Sequence, residues 1–342
     1  MGVVDIDLAS AVAARLAPAG PSLSLTEAAD VVVMLRDLTE QAEQHVRDVT
    51  GLAGVVGPAT VVDRPGWARA NAEGFDVVLA PLGDTLLAKQ NRLAAGVTSK
   101  VTAVQMGTLL SWMSSKVLGQ YEAFQPAGQE GRLLLVAPNI VETERRLGVD
   151  PHDFRLWVAL HEVTHRTQFT AVDWLHDHVR SEIGALLKAT SLDDPNALRE
   201  RLKQLRSLPK GSLAEVLQTP EQKVVMDRIT AFMSLLEGHA EHVMDGVGPS
   251  VVPTVQHIRD RFEERRRHRG NPIERLLRRL LGLDLKALQY AEGSRFVKVV
   301  VDEVGMARFN KVWESSETLP TRKEITAPLD WVARVHGTAA TA

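Results

Sequence analysis

Two histidines four residues apart, with a glutamate directly after the first, stand in the segment His161-Glu162-Val163-Thr164-His165. In an α-helix, residues four apart point the same way, so the imidazoles of His161 and His165 would project together. This is the separation at which two imidazoles can bind one tetrahedral zinc ion. Glu162 would flank that ion without binding it, as a base that acts on water must. The spacing therefore predicts a catalytic metal site with Zn²⁺ as its cofactor.

The surroundings of this segment sharpen the prediction. A chain with 11 histidines among 342 residues would contain the pattern by accident only about 0.02 times. Leu160 and Val163 lie on the face opposite the histidines, and Trp157 and Val158 lie on the histidine side, so we expect the helix to be buried on both sides. The alternative interpretation is a pair of core histidines that are hydrogen-bonded to carboxylates or carbonyls.

A third protein ligand has to come from another part of the chain. In one large class of such sites Gly and His follow three and six residues after the second histidine, and here Gln168 and Ala171 occupy those places. Glu237 is the preferred candidate, because it lies on a largely apolar helical face where zinc would neutralise its carboxylate. His239 lies about 200° away around the same helix, so it cannot readily share an ion with Glu237.

Other acidic and histidine side chains could also belong to the metal site. Glu241 falls one helical turn after Glu237 and is predicted to hydrogen-bond a ligating histidine without touching the metal. Glu182 stands 17 positions after the second motif histidine and is the rival third ligand. His176 and His178 are weaker rivals, which we expect in an exposed loop.

The elements that must position these residues read as mainly α-helical, with a small β component. A capping aspartate followed by proline predicts a helix from Pro151 to about Phe169. Further helices are predicted over residues 98–121 and 220–245, and residues 61–66 read as a turn. Arg132 to Ala137 is the best strand candidate. A helical region 1–130 and a metal-site region 131–342 are the predicted domains, with one domain over 1–342 as the alternative.

The composition limits the classes of partner and compartment. The hydrophobic fraction of 44% and the charged fraction of 24% are typical of a globular protein. A net charge of −3 gives no reason to expect nucleic acid or an anionic membrane as a partner. Cysteine is absent, the first residues lack the basic region of a secretory signal, and no apolar run is long enough to span a bilayer. We therefore expect a cytoplasmic protein.

At these residues the sequence resembles a bacterial zincin-like family of hydrolases, one branch of which is associated with biosynthesis of the deazaflavin coenzyme. The resemblance covers most of the chain. It is carried by Leu118-Gly119-Gln120-Tyr121, Leu135 to Ile140, Trp157 to Phe169, Trp174-Leu175, Glu237-Gly238-His239-Ala240, Gln289-Tyr290 and a tail that runs from Trp313 through Leu319-Pro320-Thr321 to Trp331.

The resemblance implies a mainly helical zincin-like fold and a zinc hydrolase. Glu237 matches the position at which glutamate-type zincins place their third ligand. Those families often have Asp four residues later, where this chain has Glu241. The family assignment does not supply a substrate.

Together these patterns predict a zinc-dependent hydrolase, a metallopeptidase or amide hydrolase that cleaves a peptide or amide bond. Glu162 would act as the general base, taking a proton from the attacking water and delivering it to the leaving amine. The alternative function is a helical scaffold or binding protein that keeps a zinc site without turnover. A base beside the metal favours catalysis, whereas a fourth protein ligand would favour the scaffold.

Overall fold

The computed structural model describes residues 4–87, 92–125, 129–190, 219–267 and 283–337. These residues form a mainly helical protein with a small sheet, which confirms the predicted fold class. Compact unit 1 comprises residues 1–171 and 240–277, and unit 2 comprises residues 172–239 and 278–342. The boundary near residue 130 stays a prediction.

The elements follow one another with helices before and after the three short strands. The helices are α1 (Ile6–Leu16), α2 (Leu25–Thr50), α3 (Arg64–Leu87), α4 (Arg92–Ser114), α5 (Ala137–Leu147), α6 (Pro151–Thr170), α7 (Leu175–Thr190), α8 (Pro220–Val247), α9 (Val255–Arg267), α10 (Leu283–Val304), α11 (Met306–Phe309), α12 (Arg322–Thr326) and α13 (Pro328–His336), with a 3₁₀ helix at Asn310–Trp313. The strands are β1 (Thr60–Val62), β2 (Gly119–Glu122) and β3 (Arg132–Val136). Across the segments described, no helix is both long and apolar enough to cross a membrane.

The sheet of unit 1 has β3 at its centre. β1 pairs with β3 in parallel, with Val61 opposite Leu135, and β2 pairs with β3 antiparallel, with Gly119 opposite the same Leu135. β3 reads Arg132-Leu133-Leu134-Leu135-Val136, and its four apolar residues are buried. A strand buried on both faces is expected to be such a continuous apolar run. β2 is left at the sheet edge.

Helix α6 forms as its sequence predicts. Asp150 caps it by accepting a hydrogen bond from the Asp153 backbone N–H at 2.9 Å, and Pro151 takes the first helical position. The Asp153 carboxylate in turn accepts hydrogen bonds from the Thr254 N–H at 2.8 Å and from its hydroxyl at 2.7 Å. The apolar residues along α6, including Phe154 and Val163, belong to the main hydrophobic core of unit 1.

Two sequence-based predictions of local structure are wrong. Residues 60–62 form β1 and α3 begins at Arg64, where a turn was expected over residues 61–66. The helix predicted over 98–121 is α4, which ends at Ser114, and Gly119–Glu122 forms β2. Both errors fall on short strands that gain their hydrogen bonds from β3, a partner that local periodicity does not reveal.

Unit 2 is built around aromatic side chains and a close crossing of two helices. Phe296, Phe309 and Trp331 are completely buried. At the crossing of α8 and α10, Gly238 and Gly293 face each other so closely that a Cβ on either would overlap backbone atoms of the other helix. Glycine at both positions therefore lets the two backbones meet.

Candidate metal centre

His161 and His165 face each other on α6. Their Nε2 atoms lie 3.1 Å apart, and the two rings meet edge to face with centroids 4.6 Å apart. Two Zn–N bonds of 2.0–2.1 Å at a tetrahedral angle place the nitrogens about 3.3 Å from each other. The pair thus already has nearly the separation that a shared zinc ion requires, and imidazole nitrogen is a donor type that zinc favours. The residues present fit the metal.

Gln168 fixes the orientation of the second histidine. Its side-chain Oε1 lies 2.9 Å from His165 Nδ1, and the glutamine is completely buried. With the amide oxygen as acceptor, Nδ1 carries the proton, and the lone pair of His165 is left on Nε2, the atom that faces His161. In the sequence, Gln168 is notable only as the residue that breaks a longer metal motif. Its three-residue spacing from His165 on one helix was the signal that could have identified it.

Glu162 is buried against the edge strand of the sheet. Only 7% of its surface is exposed. A Cβ placed on Gly119 of β2 would lie 2.6 Å from Glu162 Cγ, 2.7 Å from Cδ and 3.0 Å from Oε1. The backbone of β2 therefore forms one wall of the space that the Glu162 side chain occupies.

A second contact keeps β2 alongside α6. Tyr121 lies two residues after Gly119 and so on the same face of the strand, and its ring packs 5.8 Å from that of Phe169. Burial raises the pKa of the Tyr121 phenol, while the positive charge of Arg166 opposes this rise. Arg166 is itself fixed, because it donates a hydrogen bond to the Gly57 carbonyl at 2.7 Å and pairs with the Glu43 carboxylate.

The predicted carboxylates of α8 lie one turn apart. Glu241 pairs with Arg259 of α9 at 3.2 Å, and the same arginine pairs with Asp245 at 2.6 Å. Glu237 precedes Glu241 by one helical turn on α8. The sequence gives no signal for Arg259, since no short-range pattern links α9 to α8.

Helix α8 presents His239 to the interior of unit 2. The imidazole is completely buried, stacks on Phe309 at 5.7 Å and meets Trp313 edge to face at 5.4 Å between ring centroids. This agrees with the helical geometry that separates His239 from Glu237.

The rival residues lie on α7. Glu182 forms an ion pair with Arg228, with both of its oxygens 3.0 Å from Arg228 Nε. His176 and His178 were expected in an exposed loop, but they are half-buried helical residues. Burial lowers the pKa of both imidazoles. His178 lies against two aromatic rings: its ring centroid is 5.6 Å from that of Trp174 and 5.9 Å from that of Phe232.

A second group of potential ligands, Asp150, His152 and Asp153, stands at the start of α6. Asp150 caps the helix, and Asp153 accepts two hydrogen bonds from Thr254. These contacts account for the two carboxylates as structural groups, so this group is not a candidate for the functional metal.

A buried helix that carries two facing histidines and an adjacent glutamate, packed against a short mixed sheet, defines the class of zincin-like proteins. The chain belongs to the zincin-like metallopeptidase family, whose sequence profile matches residues 4–332. This confirms the resemblance noted from the sequence. Membership of the branch associated with the deazaflavin coenzyme stays a prediction.

A solved structure shares this architecture. The chain is similar to the crystal structure of a "putative hydrolase with a novel fold" from Chloroflexus aurantiacus, with 30% sequence identity and a TM-score of 0.69. The similarity covers 98% of this chain and 100% of that protein. No curated protein matches this chain.

Proposed function

We propose that this chain is a zinc-dependent hydrolase of peptide or amide bonds, with His161, His165 and Glu237 as metal ligands and Glu162 as general base. The observation that carries the proposal is the pair of facing Nε2 atoms 3.1 Å apart, with Glu162 between them in sequence. Family membership supports hydrolysis as the general class of reaction. A purely structural site would gain little from a glutamate beside the metal.

The roles of the protein groups follow from their positions on α6. Zinc held by the two imidazoles would lower the pKa of water towards neutrality and polarise the carbonyl of the scissile bond. Glu162 accepts the proton of the attacking water and passes it to the leaving amine. Gln168 holds the His165 ring in the tautomer that binds through Nε2. Burial of Glu162 against β2 limits the positions that its carboxylate can take.

The course of α8 supports Glu237 as the third ligand. The helix segment that follows it belongs to unit 1, where Val243 and Met244 share a hydrophobic core with Leu160 and Val163 of α6. Glu237 precedes Val243 by six residues, fewer than two turns, on the same helix. Glu182 is the weaker candidate, because its carboxylate is engaged with Arg228.

The position of β2 supports an extended peptide as substrate. The strand lies at the edge of the sheet, and a Cβ on its Gly119 would overlap the Glu162 side chain. An edge strand offers backbone N–H and C=O groups that can pair with a peptide chain. We place this activity in the cytoplasm, without nucleic acid or a membrane as partner.

The metal site is tested by elemental analysis of the purified protein. We expect about one equivalent of zinc, and we expect His161→Ala and His165→Ala to lose it because each removes one of few ligands. His152→Ala is the matched control, since His152 is exposed on the same helix and should leave the zinc content unchanged. Full zinc retention in both motif variants would reject the site.

The catalytic role is tested by Glu162→Gln, which is nearly isosteric and removes no proposed ligand. The variant should keep its zinc and its fold and lose about 10²–10⁴-fold in hydrolysis, because an amide cannot accept the proton of water. Wild type and variant are screened together against peptide and amide libraries. Equal cleavage by both would remove Glu162 from the mechanism. A zinc-loaded wild type that cleaves nothing in a broad library would favour the scaffold function.

A further inference from the structure

A Cβ atom added to Gly119 would lie against the proposed base, Glu162. Gly119 sits in β2, 43 positions before Glu162 in the sequence, and its conformation does not itself require glycine. The glycines with positive φ are Gly51, Gly148, Gly248, Gly305 and Gly337 among the described residues, and Gly119 is not one of them. The reason for glycine here is therefore space, and the space is taken by Glu162.

The three nearest atoms to a Cβ at position 119 all belong to the Glu162 side chain. They are Cγ at 2.6 Å, Cδ at 2.7 Å and Oε1 at 3.0 Å, and the first two are closer than Cβ contacts in real proteins. Any side chain at position 119 must therefore displace either the strand or the carboxylate.

The strand is the less movable of the two. Gly119 pairs with Leu135 in the β ladder, and the neighbouring Leu118 carbonyl accepts a hydrogen bond from the Val136 N–H at 2.8 Å. Two residues further on, Tyr121 packs on Phe169 of α6. The hydrogen bonds to β3 and this ring contact hold β2 on both sides of Gly119. The Glu162 side chain can rotate about its bonds, so it is the group that a side chain at position 119 would displace.

We infer that Gly119 is a positioning residue for the base: the missing side chain creates the slot that fixes the Glu162 carboxylate beside the histidine pair. The inference rests on the proposed function in assigning Glu162 as the base. Misplacement of a reacting group by about 1 Å can lower a rate about 100-fold. Gly119→Ala should therefore lower kcat by roughly 10- to 100-fold and change KM less, while the histidines keep their metal.

A double-mutant cycle tests the contact without any substrate. Gly119→Ala should lower the Tm by roughly 2–4 °C through overpacking. Glu162→Ala deletes all three clashing atoms, so in that background Gly119→Ala should lower the Tm by less than about 1 °C. Gly20→Ala is the matched control, since its Cβ would lie 2.8 Å from Pro138 Cβ; its effect should be the same in both backgrounds. Equal Tm losses for Gly119→Ala in both backgrounds would overturn the inference. Should Gly119→Ala alone fail to fold, folding of the Gly119→Ala/Glu162→Ala protein would show the same coupling.

A spectroscopic titration then tests positioning apart from packing. The protein is loaded with Co²⁺ and its visible absorption is followed against pH. Gly119→Ala should shift the midpoint by at least about 0.5 pH unit, because the carboxylate has moved relative to the metal, and Gly20→Ala should leave it unchanged. An unshifted midpoint in Gly119→Ala refutes the positioning role even if the steric coupling is present. A different result would refute the proposed function: hydrolysis of the substrate by Glu162→Gln at the wild-type rate.

Discussion

Removing the hydrogen bond between Gln168 and His165 should weaken zinc binding without removing a ligand. The glutamine is completely buried and its Oε1 lies 2.9 Å from His165 Nδ1. In Gln168→Leu a side chain of similar size fills the space, so the fold should be kept. The imidazole loses the acceptor that holds its proton on Nδ1, and with it the preference for a lone pair on Nε2.

The magnitude follows from two contributions. A neutral hydrogen bond contributes about 0.5–1.5 kcal/mol net, and a buried N–H left without an acceptor costs about 1–3 kcal/mol. Partners of metal-binding histidines typically change metal affinity 10- to 100-fold when they are removed, which corresponds to about 1.4–2.7 kcal/mol. The two ranges agree, so we expect the zinc Kd of Gln168→Leu to rise 10- to 100-fold.

The assay is competition for zinc between the protein and a chromophoric chelator at fixed pH. Gln168→Glu should bind at least as tightly as wild type, because a carboxylate is a stronger acceptor for the Nδ1 proton. Thr164→Val is the control for general damage to α6: it removes a buried hydroxyl that donates to the Leu160 carbonyl at 2.7 Å and leaves the His165–Gln168 bond in place. A Gln168→Leu protein whose Kd stays within about twofold of wild type would refute the reasoning.

Two further predictions concern stability. Glu144 and Arg155 form a buried ion pair, in which two guanidinium nitrogens lie 2.6 and 2.9 Å from the two carboxylate oxygens. Glu144→Gln leaves the guanidinium without its counter-charge and should lower the free energy of unfolding by about 3–5 kcal/mol. Urea denaturation measures this loss, and a loss under about 1 kcal/mol would contradict the prediction. In unit 2, burial raises the pKa of Glu324, but hydrogen bonds from Arg334 and Thr321 outweigh it and hold the pKa below its usual value of 4.5. Because the pKa of Glu324 is lower in the folded than in the unfolded protein, this stabilisation is present above pH 4.5 and is lost as the pH falls below it. Glu324→Gln should therefore flatten the acid side of a curve of Tm against pH. An unchanged slope would contradict the role given to Glu324.

The parts of the fold that could be predicted from the sequence are those specified by neighbours along the chain. Asp150 and Pro151 start α6 because a cap and a fixed φ act within one turn. The continuous apolar run of β3 identifies a strand buried on both faces. The facing of His161 and His165 follows from helical geometry alone, and the Nε2 separation of 3.1 Å is its direct result.

The parts that were missed depend on contacts between distant segments. β1 and β2 have three and four residues, too few for periodicity to distinguish a strand from a turn or from the end of a helix. Their pairing with β3 supplies the hydrogen bonds that make these segments strands. Likewise the ion pairs of Arg259 with Glu241 and Asp245 join two helices that the sequence separates by a loop.

The two histidines and the glutamate of α6 depend differently on local and on long-range contacts. Helical spacing alone brings the two imidazoles together, so any helix with this pattern could present a metal-binding pair. The same spacing does not select among the rotamers of the Glu162 side chain, and a general base is effective only within hydrogen-bond reach of its proton. In this protein Gly119, from a strand that local sequence did not predict, occupies the neighbouring space and restricts that choice. In the proposed site, α6 alone would thus bring the two histidine ligands together, whereas the position of the base would depend on the packing of α6 against the sheet. A substitution in β2 should therefore affect hydrolysis without removing the metal.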